Sequence, residues 1–218
     1  MLFFDALFYS MEIFLRDDNR TFTETALGVG SNIRVITNGS FTHEYNYLPP
    51  PRRVPWEGEI IIDRVIPRPG VPASMPSYYF IGREDGLPIR RHHSDRGDPS
   101  GYTSRLRYAM GGLYSLIQKR RKAVPHNGPI GPDEFPSQAM TDWYSRDASV
   151  GKVGFGIHRT SGCFFVFCQE DGVSPGMKIK TIIDRMADAG IDDAVLGDGS
   201  TSACIFIDPI FNIWYRIY

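Results

Sequence analysis

The chain is poor in cysteine. Among its 218 residues only Cys163, Cys168 and Cys204 occur, and no C-x-x-C spacing is present. An odd count without that spacing excludes a simple disulfide framework and an ordinary structural zinc site. All three lie in apolar runs, where a free thiol behaves as a small buried hydrophobe, and this points to a reducing compartment. Cys163 and Cys168 are an odd number of residues apart, so on one strand they face opposite sides and do not bond each other. Net charge is lacking as well: 24 Lys+Arg against 25 Asp+Glu leave a formal charge of -1. No global field then draws the protein to nucleic acid or to an anionic membrane, and neither is an expected partner. The basic run Lys119-Arg120-Arg121-Lys122 reads as a solvated face rather than a phosphate-binding patch. No apolar run of about 18 residues exists, so no membrane span is expected. The opening MLFFDALFYSMEIFLRDD lacks a basic first region and a small-residue cleavage site. It also carries Asp5 and Glu12 within its apolar part, so it does not read as a signal peptide. These absences lead to the expectation of a soluble, cytoplasmic protein.

What is present suits a globular core. The chain is 42% hydrophobic and 22% charged, and one domain over residues 1–218 is the reading for this length. Folding at this size buries roughly 70% of the unfolded chain's surface. Proline divides the chain unevenly. Prolines 49, 50, 51, 55, 67, 69, 72 and 76 make residues 46–77 a Pro-rich surface flap. Prolines 125, 129, 132 and 136 make residues 119–150 a loop-rich insert.

Between these regions the periodicity marks strands. Residues 1–16 read as a strand or a short helix, and the apolar run does not decide between them. Ile33–Ile36, Glu59–Ile62 and Tyr78–Ile81 read as short strands, the last closed by Glu84-Asp85-Gly86. Val153–Ile157 and Cys163–Cys168 form a hairpin around His158–Gly162, and Gln169–Val173 is a turn. Ser174 then offers an N-cap, with Pro175 at the first helical position. Ile179, Ile182, Ile183 and Met186 recur at helical spacing, and Gly190 fits the C′ position. Ile191–Leu196 and Ala203–Ile207 follow as strands. The order β-β-α-β-loop-β implies an α+β fold: a single domain in which a mixed β-sheet carries packed helices and long Pro-rich surface loops.

The loop between the last two strands is Gly197-Asp198-Gly199-Ser200-Thr201-Ser202. It is not a nucleophile elbow, because G-x-S-x-G is absent, nor a P-loop, because no Lys follows the glycines. It does offer backbone N–H groups at two glycines, three hydroxyls and one carboxylate. Two readings stand: a plain turn capped by Asp198, or a site presenting those groups to a phosphate or sugar. Asn38-Gly39-Ser40 also follows an apolar strand. Alone it is a hairpin turn, yet two polar loops at strand ends gain weight together, since ligands bind where such loops converge. His92-His93-Ser94-Asp95 reads as an exposed basic loop rather than a metal site. No metal and no cofactor is expected.

The ordered set of short segments resembles the phosphodiester glycosidase domain family. An Asn-Gly-Gly-Phe segment of that family appears here as ITNGSF, with Asn38, Gly39 and Phe41 matching. An Arg-Thr-Ala-x-Gly segment reads KVGFG, with Lys152 in place of arginine and Gly156 matching. The apolar strand ending in Asp-Gly is CFFVFCQEDG, with Asp171 and Gly172. The Ser-x-Gly-Met helix start is SPGM, and Asp-Gly-Gly-x-Ser is DGSTS, with Asp198, Gly199 and Ser202. Ser40 and Ser200 stand where the family has glycine. The match is densest over 150–208. The resemblance implies a hydrolase that cleaves a sugar-1-phosphodiester, of the GlcNAc-1-phosphate type, at the anomeric carbon. It implies Asp198 and Asn38 as catalytic residues. Gly39, Lys152, Gly199, Ser200, Thr201 and Ser202 would bind a small-molecule sugar phosphodiester, with Lys152 supplying positive charge. The alternative is a non-catalytic protein of the same fold that binds a sugar phosphate or nucleotide-like ligand, the two Gly-to-Ser changes marking a lost activity.

Overall fold

A hairpin of two apolar strands lies at the heart of the computed structural model. The residues it describes are 2–5, 24, 28, 35–37, 60–67, 78–84, 90–93, 101, 103–137, 140, 149–161, 163–169, 172, 176–197 and 205–207. They form β1 (Leu2–Asp5), β2 (Val35–Thr37), β3 (Ile60–Ile62), β4 (Tyr78–Glu84), β5 (Arg90–His93) and β6 (Leu106–Gln118). There follow β7 (Arg121–Pro125), β8 (Glu134–Ser137), β9 (Lys152–His158), β10 (Cys163–Gln169), the helix α1 (Ile179–Asp188), β11 (Asp193–Leu196) and β12 (Ile205–Ile207). The order β9-β10-α1-β11-loop-β12 is the one expected from the sequence.

The strands form a ten-stranded sheet and a two-stranded one. The large sheet runs β1-β10-β9-β11-β6-β4-β5, with β3 and β7 also on β6 and β8 on β7. Its pairings are antiparallel except β7 with β8, so the sheet is mixed. Among the described residues one helix of this length packs on it, where several were expected. The sheet therefore dominates the architecture.

The hairpin of β9 and β10 pairs residue for residue from His158–Cys163 to Lys152–Gln169. β11 adds to the other side of β9, with Ala194 opposite Gly156 and Leu196 opposite Gly154. Gly154 and Gly156 thus share one face, and α1 lies over that face. An added Cβ on Gly154 would come within 3.2 Å of the Val195 carbonyl oxygen and 3.7 Å of Met186 Cε. At Gly156 the fit is tighter: a Cβ would stand 2.0 Å from Phe165 Cε1 and 2.8 Å from the Asp193 carbonyl oxygen. The Phe165 ring takes the space that any side chain at 156 would need.

On this face Tyr114, Leu116, Phe165, Phe167, Ala194 and Leu196 meet Ile179, Ile182, Ile183 and Met186 of α1. These four helix residues are the ones picked out by periodicity, and all are buried. Gly190 ends the helix as expected. It has φ +77, its N–H donates to the Ala187 carbonyl at 2.9 Å, and the Ile191 N–H donates to the Met186 carbonyl at 3.1 Å. This pair of bonds is a Schellman closure, with Ile191 and Met186 making its apolar contact. Lys122 of β7 and Lys180 both hold Asp184, at 2.9 and 2.7 Å, part-exposed pairs worth little each.

Several sequence expectations need correction. The helix begins at Ile179 with Lys178 as N-cap, which makes no side-chain cap bond; Ser174 and Pro175 lie outside the described residues. The Met177 N–H is taken by Gln169 Oε1 at 2.8 Å, and Lys178 is extended with ψ 151, so helical geometry starts only after it. The loop-rich insert 119–150 contains β7 and β8. Pro136 is exposed between buried Phe135 and Ser137, and β8 pairs only with β7 among the described strands, so its missing N–H is tolerated. Within the flap 46–77, by contrast, the strand expected at Glu59–Ile62 is present as β3, followed by a tight turn in which Ile62 pairs Val65. His92 and His93 belong to β5 and pair with Phe80 and Tyr79, not to a loop. β6 falls in a stretch without an expected element. It is buried on both faces, so its residues do not alternate in polarity.

Gly156→Ala is expected to destabilise the protein by about 3 kcal/mol, at or above the upper end of the usual overpacking cost. The corresponding fall in Tm is roughly 6–12 °C for a chain of this size. Gly154→Ala should cost less, because its Cβ would be tight only against the Val195 carbonyl oxygen, at 3.2 Å, with Met186 Cε in ordinary contact. Thermal unfolding of the two variants, with Gly156→Ala/Phe165→Leu as partial rescue, checks the assignment.

Candidate functional site

The two ends of β11 differ in chemistry. At its start, four side chains close an ionic cluster. Asp193 is buried and accepts from the Lys119 N–H at 3.1 Å and from Arg159 Nε at 2.7 Å. Asp192 accepts from Arg120 Nε at 2.7 Å and from the Arg159 N–H at 2.7 Å. These bonds hold a tight turn between β6 and β7. Lys119 and Arg120 sit there at φ 48 and 68, a left-handed conformation that favours glycine. The Arg120 N–H also donates to the Asp192 carbonyl at 2.8 Å. The basic run is thus a pinned hairpin, with Arg121 reaching the Glu134 carbonyl and Lys122 reaching Asp184. Arg120 is 64% exposed, which keeps part of the solvated-face reading. Every carboxylate of this cluster is occupied by the scaffold, so its role is structural.

Gly197, just past the far end of β11, lies four residues on from Asp193, about 14 Å along the strand. Here the Gly197 N–H donates to the Val153 carbonyl at 2.8 Å. Gly197 is the last described residue before Asp198, and Val153 is next to Lys152. Lys152 is only 2% exposed, and its Nζ donates to the Val150 carbonyl. Directly across the β9–β10 ladder stands Gln169, also buried. Its Nε2 donates to the same Val150 carbonyl at 3.0 Å. Its Oε1 accepts the Met177 N–H. Close by, the Gly172 N–H donates to the Ser149 carbonyl at 3.0 Å, with Gly172 at φ +77. The chain before β9, the chain before α1 and the end of β10 are therefore tied together around Lys152 and Gln169.

The second sheet bears on the remaining candidates. Its β2 pairs antiparallel with β12, Thr37 facing Ile205 and Val35 facing Ile207. The next strand in sequence, β3, pairs instead with β6. Asn38 and Gly39 themselves lie outside the described residues, as do Asp198, Gly199, Ser200, Thr201 and Ser202. Of the expected site residues, Lys152 is the one described, and it is buried. Gln169 was missed by sequence reasoning, which assigned it to a turn. The signal available was a carboxamide closing the apolar run CFFVFCQ. Among the described residues no group of three or more His, Cys, Asp or Glu is placed to hold a metal. No helix among them is long and apolar enough to cross a membrane.

No family model and no curated protein matches the chain. Among solved structures it is similar to the zebrafish N-acetylglucosamine-1-phosphodiester alpha-N-acetylglucosaminidase catalytic domain, auto-inhibited by its pro-peptide. The TM-score is 0.53 at 16% identity, over 79% of this chain and 53% of that one. A hypothetical protein from Synechocystis is similar at TM-score 0.34 and 12% identity, over 63% of this chain and 31% of that one. The first likeness shows a distantly related fold. The chain spans about half the length of that enzyme structure, 53%.

The ionic cluster gives a pH dependence. Burial works to raise the Asp192 carboxyl, but the bonds from Arg120 and the Arg159 amide and the nearby positive charge outweigh it and hold it below the ordinary aspartate value. A carboxyl depressed in the folded state contributes stability that is complete above its unfolded value. That stability is lost as pH falls through the lower folded value. Acid unfolding should therefore steepen below about pH 4, near the unfolded aspartate value. Arg120→Ala should flatten that part of the profile and cost about 1 kcal/mol at neutral pH. Denaturant unfolding across the acid range checks both.

Proposed function

We propose that the chain hydrolyses a sugar-1-phosphodiester at the anomeric carbon. The observation that carries this reading is the pairing of Thr37 with Ile205. Asn38-Gly39-Ser40 follows Thr37 directly, and the Asp198–Ser202 insert lies between β11 and β12. One segment thus leaves, and the chain after the other enters, the same end of one strand pair, although Asn38 and Asp198 are about 160 residues apart in the chain. Ligands bind where such loops converge. The fold shared with a phosphodiester glycosidase supports the same reaction class.

Each residue then has a role. A phosphate ester is already a good leaving group, so the site needs little acid to expel it. It must hold the phosphate, stabilise positive charge at the sugar carbon and position water. Asn38, Gly39 and the Gly199–Ser202 segment would hold phosphate and sugar oxygens through N–H and O–H donors. Asp198 is the carboxylate at the reacting centre. Lys152 brings positive charge beside Val153, whose carbonyl takes the Gly197 N–H. In so dry a position a charge acts with little screening.

Asp198→Asn is nearly isosteric and should leave the fold intact. It should cut release of sugar from a GlcNAc-1-phosphodiester by about 100-fold or more, the scale of a lost positioned acid–base group. A variant that loses about 1 kcal/mol of stability but keeps its rate would make Asp198 a turn cap instead. Saturable binding by the wild-type protein without turnover would favour the non-catalytic alternative, in which Ser40 and Ser200 mark the lost activity.

A further inference from the structure

We propose that Gln169 is a positioning residue that sets where the Lys152 ammonium sits, and through it the affinity of the site for a phosphate group. The inference rests on the reading of Lys152 given above. Gln169 and Lys152 are direct partners in the β9–β10 ladder, so their side chains leave the same face of the sheet. That face carries α1, as Met186 beside Gly154 shows. Both side chains address one acceptor: Gln169 Nε2 and Lys152 Nζ donate to the Val150 carbonyl.

The carboxamide is used at both ends. With Oε1 on the Met177 N–H at 2.8 Å and Nε2 on Val150 at 3.0 Å, its orientation is determined, because a flipped amide would place donor against donor and acceptor against acceptor. It therefore fixes the distance between the chain leading into β9 and the chain leading into α1. Lys152 is bonded to the same Val150 carbonyl and is 2% exposed. A long, flexible lysine stem has many rotamers in open space; here burial and the bond to the carbonyl held by Gln169 restrict them. A carboxylate at 169 would keep the acceptor for Met177 but lose the donor to Val150. It would also draw the ammonium across the ladder toward itself.

The link can be read without any ligand. In ¹⁵N-labelled protein the Lys152 Nζ resonance, assigned through Lys152→Met, should shift in Gln169→Glu and in Gln169→Leu. Thermal unfolding of Gln169→Glu confirms that it is folded. The ligand arm uses inorganic phosphate in a titration. Gln169→Glu and Lys152→Met should each raise its Kd by about tenfold, the scale of one bond to a charged group. The double variant should bind no more weakly than Lys152→Met alone, because Gln169 acts through Lys152. An unchanged Lys152 resonance, or effects on Kd that multiply in the double variant, would overturn the proposal. A shifted resonance with no phosphate binding by the wild type would instead overturn the functional reading of Lys152 and the affinity role with it.

Discussion

The contact of the Phe165 ring with the bare backbone of Gly156 governs how the rest of the fold is assembled. An aromatic ring that occupies the space over its cross-strand partner needs that partner to be without a side chain, and Gly156 supplies it. The ring then fills the face at the level of Ala194, on the next strand. With β9 thinned at Gly154 and Gly156, the helix can lie close enough for Met186 to reach Gly154. Close approach in turn lets Ile179, Ile182 and Ile183 interlock with the sheet. The core is thus a consequence of two absent side chains as much as of the apolar ones present.

That close packing sets the polarity of the two ends of β11. A strand of four residues, Asp193–Leu196, is buried along its whole length, so its backbone and flanking polar groups must be satisfied at the tips. At one tip Asp192 and Asp193 do this by binding Arg120, Arg159 and the Lys119 amide. Two non-glycine residues are held at positive φ there by that network. At the other tip the groups are a glycine amide, a buried lysine and a carboxamide. Bonds at the first tip are all spent within the scaffold, which makes it a foundation. The second tip leads directly into the Asp198 insert.

The hairpin β9–β10, the amphipathic helix and its glycine stop were legible in the sequence. Each is encoded locally: alternation or helical spacing decides which face is apolar, and Gly190 marks the position at the helix end that needs positive φ. The helix start was not legible. Ser174-Pro175 carries the local signal of a cap, but the Met177 amide bonds to the Gln169 side chain at the end of the preceding strand instead. Strand β6 was hidden because burial on both faces erases alternation, and the strands within the Pro-rich insert were hidden behind their prolines.

The candidate site divides along the same line. Its residue types, a carboxylate between glycines, adjacent hydroxyls and an asparagine after a strand, are properties of short segments and could be read from the chain alone. That β2 pairs with β12 rather than with β3 is a long-range choice, and nothing within either segment specifies its partner. The same holds for Lys152 and Gln169. Their residue types can be read off, but their shared hold on Val150 follows from strand register, which the whole packed face selects. The sequence by itself determined which elements form and what chemistry their loops carry. Only the tertiary structure decided which strands stand together, because pairing between distant strands is settled by the burial of a common core and not by either strand alone.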